Sequence, residues 1–96
     1  MKNKFELTVL LKSVGGEEAW GKVAERIEKM VKAVEGKVER VQEMGKKQLA
    51  YKISGQIEAV YVNFRLELPA AAVVQLGRKL AVDKDVIRHL LVKADG

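Results

Sequence analysis

The stretch FELTVLLKSVGGEEAWGKVAERIEKMVKAV, residues 5–34, decides the fold class because it joins a strand pattern to a helix pattern. Apolar side chains alternate with others from Phe5 to Leu11, and this period of two predicts a strand with Phe5, Leu7 and Val9 facing a core. From Trp20 to Val34, apolar residues recur at the three-and-four spacing of one helix face. That face consists of Trp20, Val23, Ala24, Ile27, Met30, Val31 and Val34.

Two further strand patterns follow this helix. An extended stretch opens at Val38 and runs to about Tyr51, and Gly45 within it predicts a bend or a β-bulge. Apolar and polar side chains then alternate over residues 57–68, which predicts a third strand. Gly36, just after the first helix, fits the left-handed residue that commonly ends a helix.

The remaining sequence predicts a second helix and a last strand. Pro69 is the only proline, and its fixed φ suits the first position of a helix. Val73, Leu76 and Leu80 give that helix an apolar face. A turn over residues 83–85 then leads to a strand over residues 86–93.

The complete order is therefore β-α-β-β-α-β. This order predicts an α+β, ferredoxin-like split β-α-β-β-α-β fold, a four-stranded antiparallel sheet with two helices on one face. The other face of the sheet is expected to be free. No linker or repeat interrupts the pattern, so residues 1–96 are predicted to form a single domain.

Composition excludes several classes of function. The chain has 96 residues and no cysteine, so disulfides, thiolate catalysis and cysteine-ligated metals are excluded. His89 is the only histidine, which excludes a metal site with several histidine ligands from one chain. No apolar run reaches the ~18 residues of a membrane-spanning helix. We therefore expect a cytoplasmic protein with no cofactor and no metal.

The distribution of charge points to an anionic partner without identifying it. The formal net charge is +5, and residues 37–52 and 78–93 each carry five bases and two acids. Lysines and arginines on the sheet could contact phosphates without reading sequence. Lysines on edge strands would also discourage aggregation. Charge alone therefore does not decide between RNA binding and protection of the sheet edges against aggregation.

One local pattern is typical of RNA-binding strands but is incomplete. Residues 61–64, Tyr-Val-Asn-Phe, match the end of the RNA-recognition-motif signature. Residues 57–60, Ile-Glu-Ala-Val, lack the basic residue and the glycine that should precede it. The usual stacking platform is therefore not expected, and Tyr51 is the best single candidate for stacking on a base, unless it only packs.

Four stretches, taken in order, resemble one family. The most specific is GKKQLAYKI at residues 45–53, where the family pattern is glycine, basic residues and Leu-Ala-Tyr-Pro-Ile. The others are KFE at residues 4–6, ELP at residues 67–69, and residues 80–93 with their closing Leu-Leu-Val-Lys. Together they resemble the bacterial small-subunit ribosomal protein six family over nearly the whole chain.

The resemblance implies a structural, non-catalytic constituent of the bacterial small ribosomal subunit. It also implies binding to the central domain of the small-subunit rRNA, as a heterodimer with ribosomal protein eighteen, in support of platform assembly. Strand alternation puts three of the implied contact residues, those of the last strand, on one face, although core burial of Leu90 and Val92 fits the pattern equally well. The full set implied for RNA and partner contact is Lys4, Lys46, Lys47, Tyr51, Arg88, Leu90 and Val92.

Two other classes of function stay open at this point. The same fold could serve as a ligand-binding or regulatory module that dimerises through its sheet, and a stable homodimer would favour this hypothesis. A small phosphatase-like enzyme is the other alternative. Gly15 and Gly16 lack the spacing of a phosphate loop, and nothing near Ser54 or His89 resembles a nucleophile elbow.

Overall fold

The computed structural model describes residues 2–12, 17–53 and 55–94, and it confirms the predicted order of elements. Gly15, Gly16 and Ser54, which the sequence places in turns, lie outside the described residues. No helix within the described ranges is long and apolar enough to cross a bilayer. The elements are β1 (Lys2–Lys12), α1 (Glu17–Ala33), β2 (Lys37–Ile53), β3 (Gln56–Pro69), α2 (Ala72–Ala81) and β4 (Val86–Lys93).

The four strands form one antiparallel sheet in the order β2-β3-β1-β4, so β2 and β4 are its edges. β1 lies inside the sheet, where Leu7 pairs with Phe64 of β3 and with Leu91 of β4. The pairing of β2 with β3 shifts between Val38 and Arg40 and again between Glu43 and Gly45. The second shift, with φ of +96° at Gly45, confirms the predicted β-bulge.

Both helices cover one face of this sheet and enclose the core. Alternate residues of β1 and β3 point to that face because side chains in a strand alternate between the two sides of the sheet. The stripe of α1 that was predicted from sequence packs against them, as does the narrower face of α2. The fully buried members are Leu7, Val9, Leu11, Ile27, Val31, Val62, Phe64, Leu66, Leu68, Leu76 and Leu80.

The end of α1 differs from the prediction for Gly36. The left-handed residue is Glu35, with φ of 65°, and Gly36 is the residue after it. The Gly36 N–H donates to the Val31 carbonyl at 2.8 Å and the Glu35 N–H donates to the Lys32 carbonyl at 3.1 Å, which is the Schellman arrangement. Glycine is needed at 36 for space, because a Cβ there would stand 2.7 Å from Val31 Cγ1.

The prediction for Pro69 is also wrong. Pro69 ends β3, where it pairs with Lys2, and α2 begins only at Ala72. A proline that closes a strand loses little, because its missing N–H comes where the ladder of hydrogen bonds stops. The first strand also extends farther than its apolar alternation suggested, and this longer β1 supplies the partner for Pro69.

An ion-pair cluster ties α1 to the turn before β4. Arg26 donates to both carboxylate oxygens of Asp83 at 2.7 and 2.8 Å and to Asp85 at 2.8 Å. The Asp85 N–H donates to Asp83 Oδ1 at 2.9 Å. Burial acts to raise the pKa of Asp83, but the hydrogen bonds from Arg26 and from the backbone outweigh it and hold that pKa below its usual value. The cluster therefore fixes where β4 starts.

Candidate nucleic-acid interface

The sheet face opposite the helices, here called the open face, carries most of the residues that the sequence singled out. Strand register puts Lys4, Thr8 and Leu10 of β1 there, opposite the buried set of Phe5, Leu7 and Val9. The neighbouring strands add Asn63 and Tyr61 of β3, together with Arg88, Leu90 and Val92 of β4.

Leu90 and Val92 form an exposed apolar strip on the open face. They are 61% and 44% exposed, respectively, whereas Leu91 between them packs against the core. Core burial of Leu90 and Val92, which the sequence pattern left open, is thereby excluded. Two neighbouring apolar side chains on a strand with no covering helix make a surface on which another macromolecule could dock.

The end of the β2–β3 hairpin curls over part of the open face. The last pair between β1 and β3 is Lys12 with Ala59, so residues 48–53 and 55–58, here called the hairpin arm, extend beyond β1. Leu49 and Tyr51 of the arm nevertheless line the same groove as Leu90 of β4, although two strands lie between β2 and β4. The arm also accounts for Leu10, which is only 9% exposed although no helix covers its face.

This groove, here called the arm groove, has a volume of about 530 Å³. Its walls are the hairpin arm on one side and β4 on the other, and its floor is β1 and β3. The described residues that line it include one guanidinium, that of Arg88, and no carboxylate. The six that matter for its chemistry are Leu10, Leu49, Tyr51, Tyr61, Arg88 and Leu90.

Cations surround the arm groove and the apolar strip. Lys47 lies at the base of the arm with its ammonium 5.3 Å from the centre of the Tyr61 ring, a cation–π contact. Arg88 is exposed and lines the groove. Lys4, farther along β1, is 3.8 Å from Glu39 of the β2 edge, and its side chain stays 46% exposed.

Lys46 is the one residue of the predicted set that the structure does not bring to the open face. It pairs with Val60, whose side chain packs against the core, so Lys46 lies on the helix side of the sheet. There its ammonium lies 3.3 Å from a carboxylate oxygen of Glu58. Adjacent lysines of β2 therefore serve opposite faces.

Leu10, Tyr61 and the polar pair of Thr8 and Asn63 were not predicted to belong to the interface. Leu10 was only one of the residues that alternate with the apolar set of the first strand, and Tyr61 was part of an incomplete motif. Asn63 Nδ2 donates to Thr8 Oγ1 at 3.1 Å across the middle of the open face. Strand alternation places all of these side chains on the open face. It does not predict that the hairpin arm would reach them.

The chemistry of the described residues fits binding better than catalysis. Among residues 2–12, 17–53 and 55–94, no cluster of acids and histidine has the arrangement of a metal site. His89 lies on the helix side of β4, and a Cβ placed on Gly77 of α2 would stand 3.9 Å from its Nε2. His89 therefore belongs to the packing between β4 and α2.

Comparison with known proteins identifies the relatives of this chain. The family model described as "Ribosomal protein S6" matches residues 4–93. Small ribosomal subunit protein bS6 of Alkaliphilus metalliredigens is 36% identical over 91 residues, which cover 95% of this chain and 96% of that protein. The bS6 protein of Alkaliphilus oremlandii is 31% identical over 93 residues, or 97% of this chain and 98% of that protein.

A solved structure shows the same fold. The crystal structure of 30S ribosomal protein S6 from Thermotoga maritima matches with a TM-score of 0.88 at 21% sequence identity. The match covers 98% of this chain and 89% of that one.

Proposed function

Because the chain belongs to the ribosomal protein S6 family, we propose that it binds the central domain of the small-subunit rRNA together with ribosomal protein eighteen and supports assembly of the platform. Members of this family are structural, non-enzymatic components of the small ribosomal subunit, and so is this chain. The cytoplasmic ribosome is therefore where it acts.

One observation carries the proposal: exposed apolar side chains and exposed cations share the open face. Leu90 and Val92 offer a surface that loses contact with water when a protein covers it. Lys4, Lys47 and Arg88 lie around that surface and offer charge to phosphates. A face of this composition suits an RNA and a protein that bind side by side.

The two kinds of contact contribute differently to binding. Phosphate contacts supply affinity that falls with salt and carries no sequence information. Burial of the apolar strip supplies affinity that changes little with salt, at roughly 25 cal/mol per Å² of apolar surface removed from water. We therefore expect the chain and its partner to bind the RNA more tightly together than either does alone.

The experiment measures binding of a central-domain rRNA fragment by the chain, by ribosomal protein eighteen, and by both together. The test variant is Leu90→Ser with Val92→Ser, and the control is Val74→Ser, an equally exposed position on α2 at 62%. Each change affects exposed side chains, so stability should change by only about 0.5 kcal/mol. We expect the partner to increase the RNA affinity of the control but not that of the double variant.

The opposite pattern would contradict the proposal. If the double variant keeps the full increase in RNA affinity that the partner causes, the apolar strip does not bind the partner. Sedimentation equilibrium of the chain alone gives a second check, for which we expect a monomer. A stable homodimer that the double variant dissociates would instead favour the dimerisation module.

A further inference from the structure

We propose that the arm groove holds a single unstacked RNA nucleotide, with its base against Tyr51 and its phosphate at Arg88. This inference rests on the proposed function, because it supposes that RNA lies on the open face. It goes further by giving one nucleotide a defined site there. Contact along a helical backbone alone would leave the groove empty.

The size and floor of the groove fit a base. Its volume of about 530 Å³ lies within the range of pockets that hold small organic ligands. The floor contains Leu10 and the half-buried Tyr61, both on strands inside the sheet. A floor on paired strands is fixed before binding, so an entering base would lose its contact with water at little cost in ordering the protein.

The wall of the groove offers an aromatic ring that has no other use in the described structure. The Tyr51 side chain is 66% exposed, although it lines the groove. Exposed aromatic rings beside cationic groups are how proteins hold single-stranded nucleic acid, because every base has a face that can stack. Leu49, next but one along the arm, supports the same wall.

The charges at the groove suit a phosphate. Arg88 lines it, and the Lys47 ammonium lies 5.3 Å from the ring centre of Tyr61 at its floor. The described lining residues contribute no carboxylate to oppose an anion. A guanidinium can donate two parallel hydrogen bonds to one phosphate, which fixes the nucleotide's position as well as attracting it.

An acidic peptide with an aromatic side chain is the competing occupant. The observations favour RNA, because the aromatic ring of the groove is a stacking surface beside a guanidinium and the chain belongs to a ribosomal protein family. The experiment below includes such a peptide, so that the two occupants are told apart.

The first measurement compares the affinities of variants for the central-domain rRNA fragment, with ribosomal protein eighteen present. Tyr51→Leu removes the ring and Tyr51→Phe keeps it. Because stacking on one ring accounts for a modest part of the affinity, Tyr51→Leu should bind roughly 5- to 150-fold more weakly and Tyr51→Phe about as well as the unaltered chain. Arg88→Lys should fall between Arg88→Ala and the unaltered chain, because it keeps the charge and loses the paired hydrogen bonds.

The second measurement locates the contact. Irradiation of the unaltered complex with ultraviolet light, followed by mass spectrometry, should attach one nucleotide to the peptide that contains Tyr51. An NMR titration of the chain with single-stranded pentaadenylate should shift the amide signals of Leu10, Tyr51 and Arg88. A Glu-Phe-Glu peptide at the same concentration should leave them unshifted.

The outcomes separate this inference from the proposed function. If the unaltered chain and its partner do not bind the fragment, the proposed function fails, and the inference fails with it. If they bind, but Tyr51→Leu binds as tightly as Tyr51→Phe and no nucleotide attaches at Tyr51, only the inference is overturned. Amide shifts with the peptide and none with pentaadenylate would likewise overturn it.

Discussion

Lys46 and Lys47 provide a matched test of the open face, because they are neighbours in sequence and lie on opposite sides of the sheet. Lys47 lies at the base of the hairpin arm, with its ammonium 5.3 Å from the centre of the Tyr61 ring. Lys46 lies 3.3 Å from Glu58 on the helix side. Lys46→Ala and Lys47→Ala remove the same charge from adjacent positions, so the general field of the protein changes equally in both.

The expected difference appears in the salt dependence of rRNA binding. Each phosphate that a lysine neutralises adds about 0.7 to 0.9 to the slope of log affinity against log salt. Lys47→Ala should therefore lower the slope by about one unit, whereas Lys46→Ala should leave it unchanged. Over a fourfold rise in salt, the unaltered chain should lose roughly 2.6- to 3.5-fold more affinity than Lys47→Ala.

Neither substitution should unfold the domain. The contact between Lys47 and Tyr61 is an exposed cation–π pair that contributes about 0.5–1 kcal/mol. The Lys46 ion pair is also exposed and contributes about 0–1 kcal/mol. Both effects are a small fraction of typical folding stability, so a change in slope reports on the interface.

The assay is a filter-binding titration of the central-domain fragment at four or more salt concentrations, with ribosomal protein eighteen present. Equal slopes for Lys47→Ala and the unaltered chain would refute the assignment of Lys47 to a phosphate. A slope lowered by Lys46→Ala as much as by Lys47→Ala would refute the argument from the two faces of the sheet.

Three further predictions concern stability, measured by chemical denaturation. Gly36→Ala should lower the free energy of unfolding by about 1–3 kcal/mol, because its Cβ would overlap a core side chain. Gly21→Ala should raise it by about 0.5–1 kcal/mol, because its Cβ meets open space inside α1. A change of the same sign in both variants would contradict the packing argument. Ile27→Ala should cost about 2–5 kcal/mol because that side chain is fully buried, and a loss below 1 kcal/mol would contradict its place in the core. The depressed pKa of Asp83 adds stability that is present above its unfolded pKa near 4 and is lost as pH falls through the folded pKa. The unaltered chain should therefore lose more stability between pH 5 and 2 than Asp83→Asn does, and parallel curves would show that Asp83 does not couple folding to pH.

The helices and strands could be predicted from the sequence because each has an apolar face that packs on the core. The alternating Phe5, Leu7 and Val9 are buried, and so are Ile27 and Leu76 on the apolar faces of α1 and α2. These patterns show which face of each helix and strand packs on the core, and each element must bury that face. The order of the elements then restricts the topology to the ferredoxin-like one.

Element ends were harder to predict because they depend on contacts with residues distant in sequence. Gly36 looked like the left-handed end of α1, yet its lack of a side chain serves contact with Val31 and Leu68. Pro69 looked like a helix start, yet Lys2 pairs with it at the end of β3. In both cases the residue type was noticed, but a partner from another element decides its role.

The candidate site was predicted in part. Strand alternation correctly put Arg88, Leu90 and Val92 on one face. It could not say which of Lys46 and Lys47 points to the open face, because the β-bulge before Gly45 reverses which side chains of β2 point there. The hairpin arm follows this β-bulge along β2. The sequence pattern did not predict where the arm would lie, so it could not predict the arm groove.

Co-sedimentation of the tagged chain with small ribosomal subunits across a salt titration tests whether the chain binds the subunit through its rRNA. We expect the chain to travel with the small subunit at low and moderate salt and to be released as salt rises, because phosphate contacts weaken with salt. Recovery of the chain in the RNA-free fraction at low salt, although subunits lacking it are available, would show that it does not bind there.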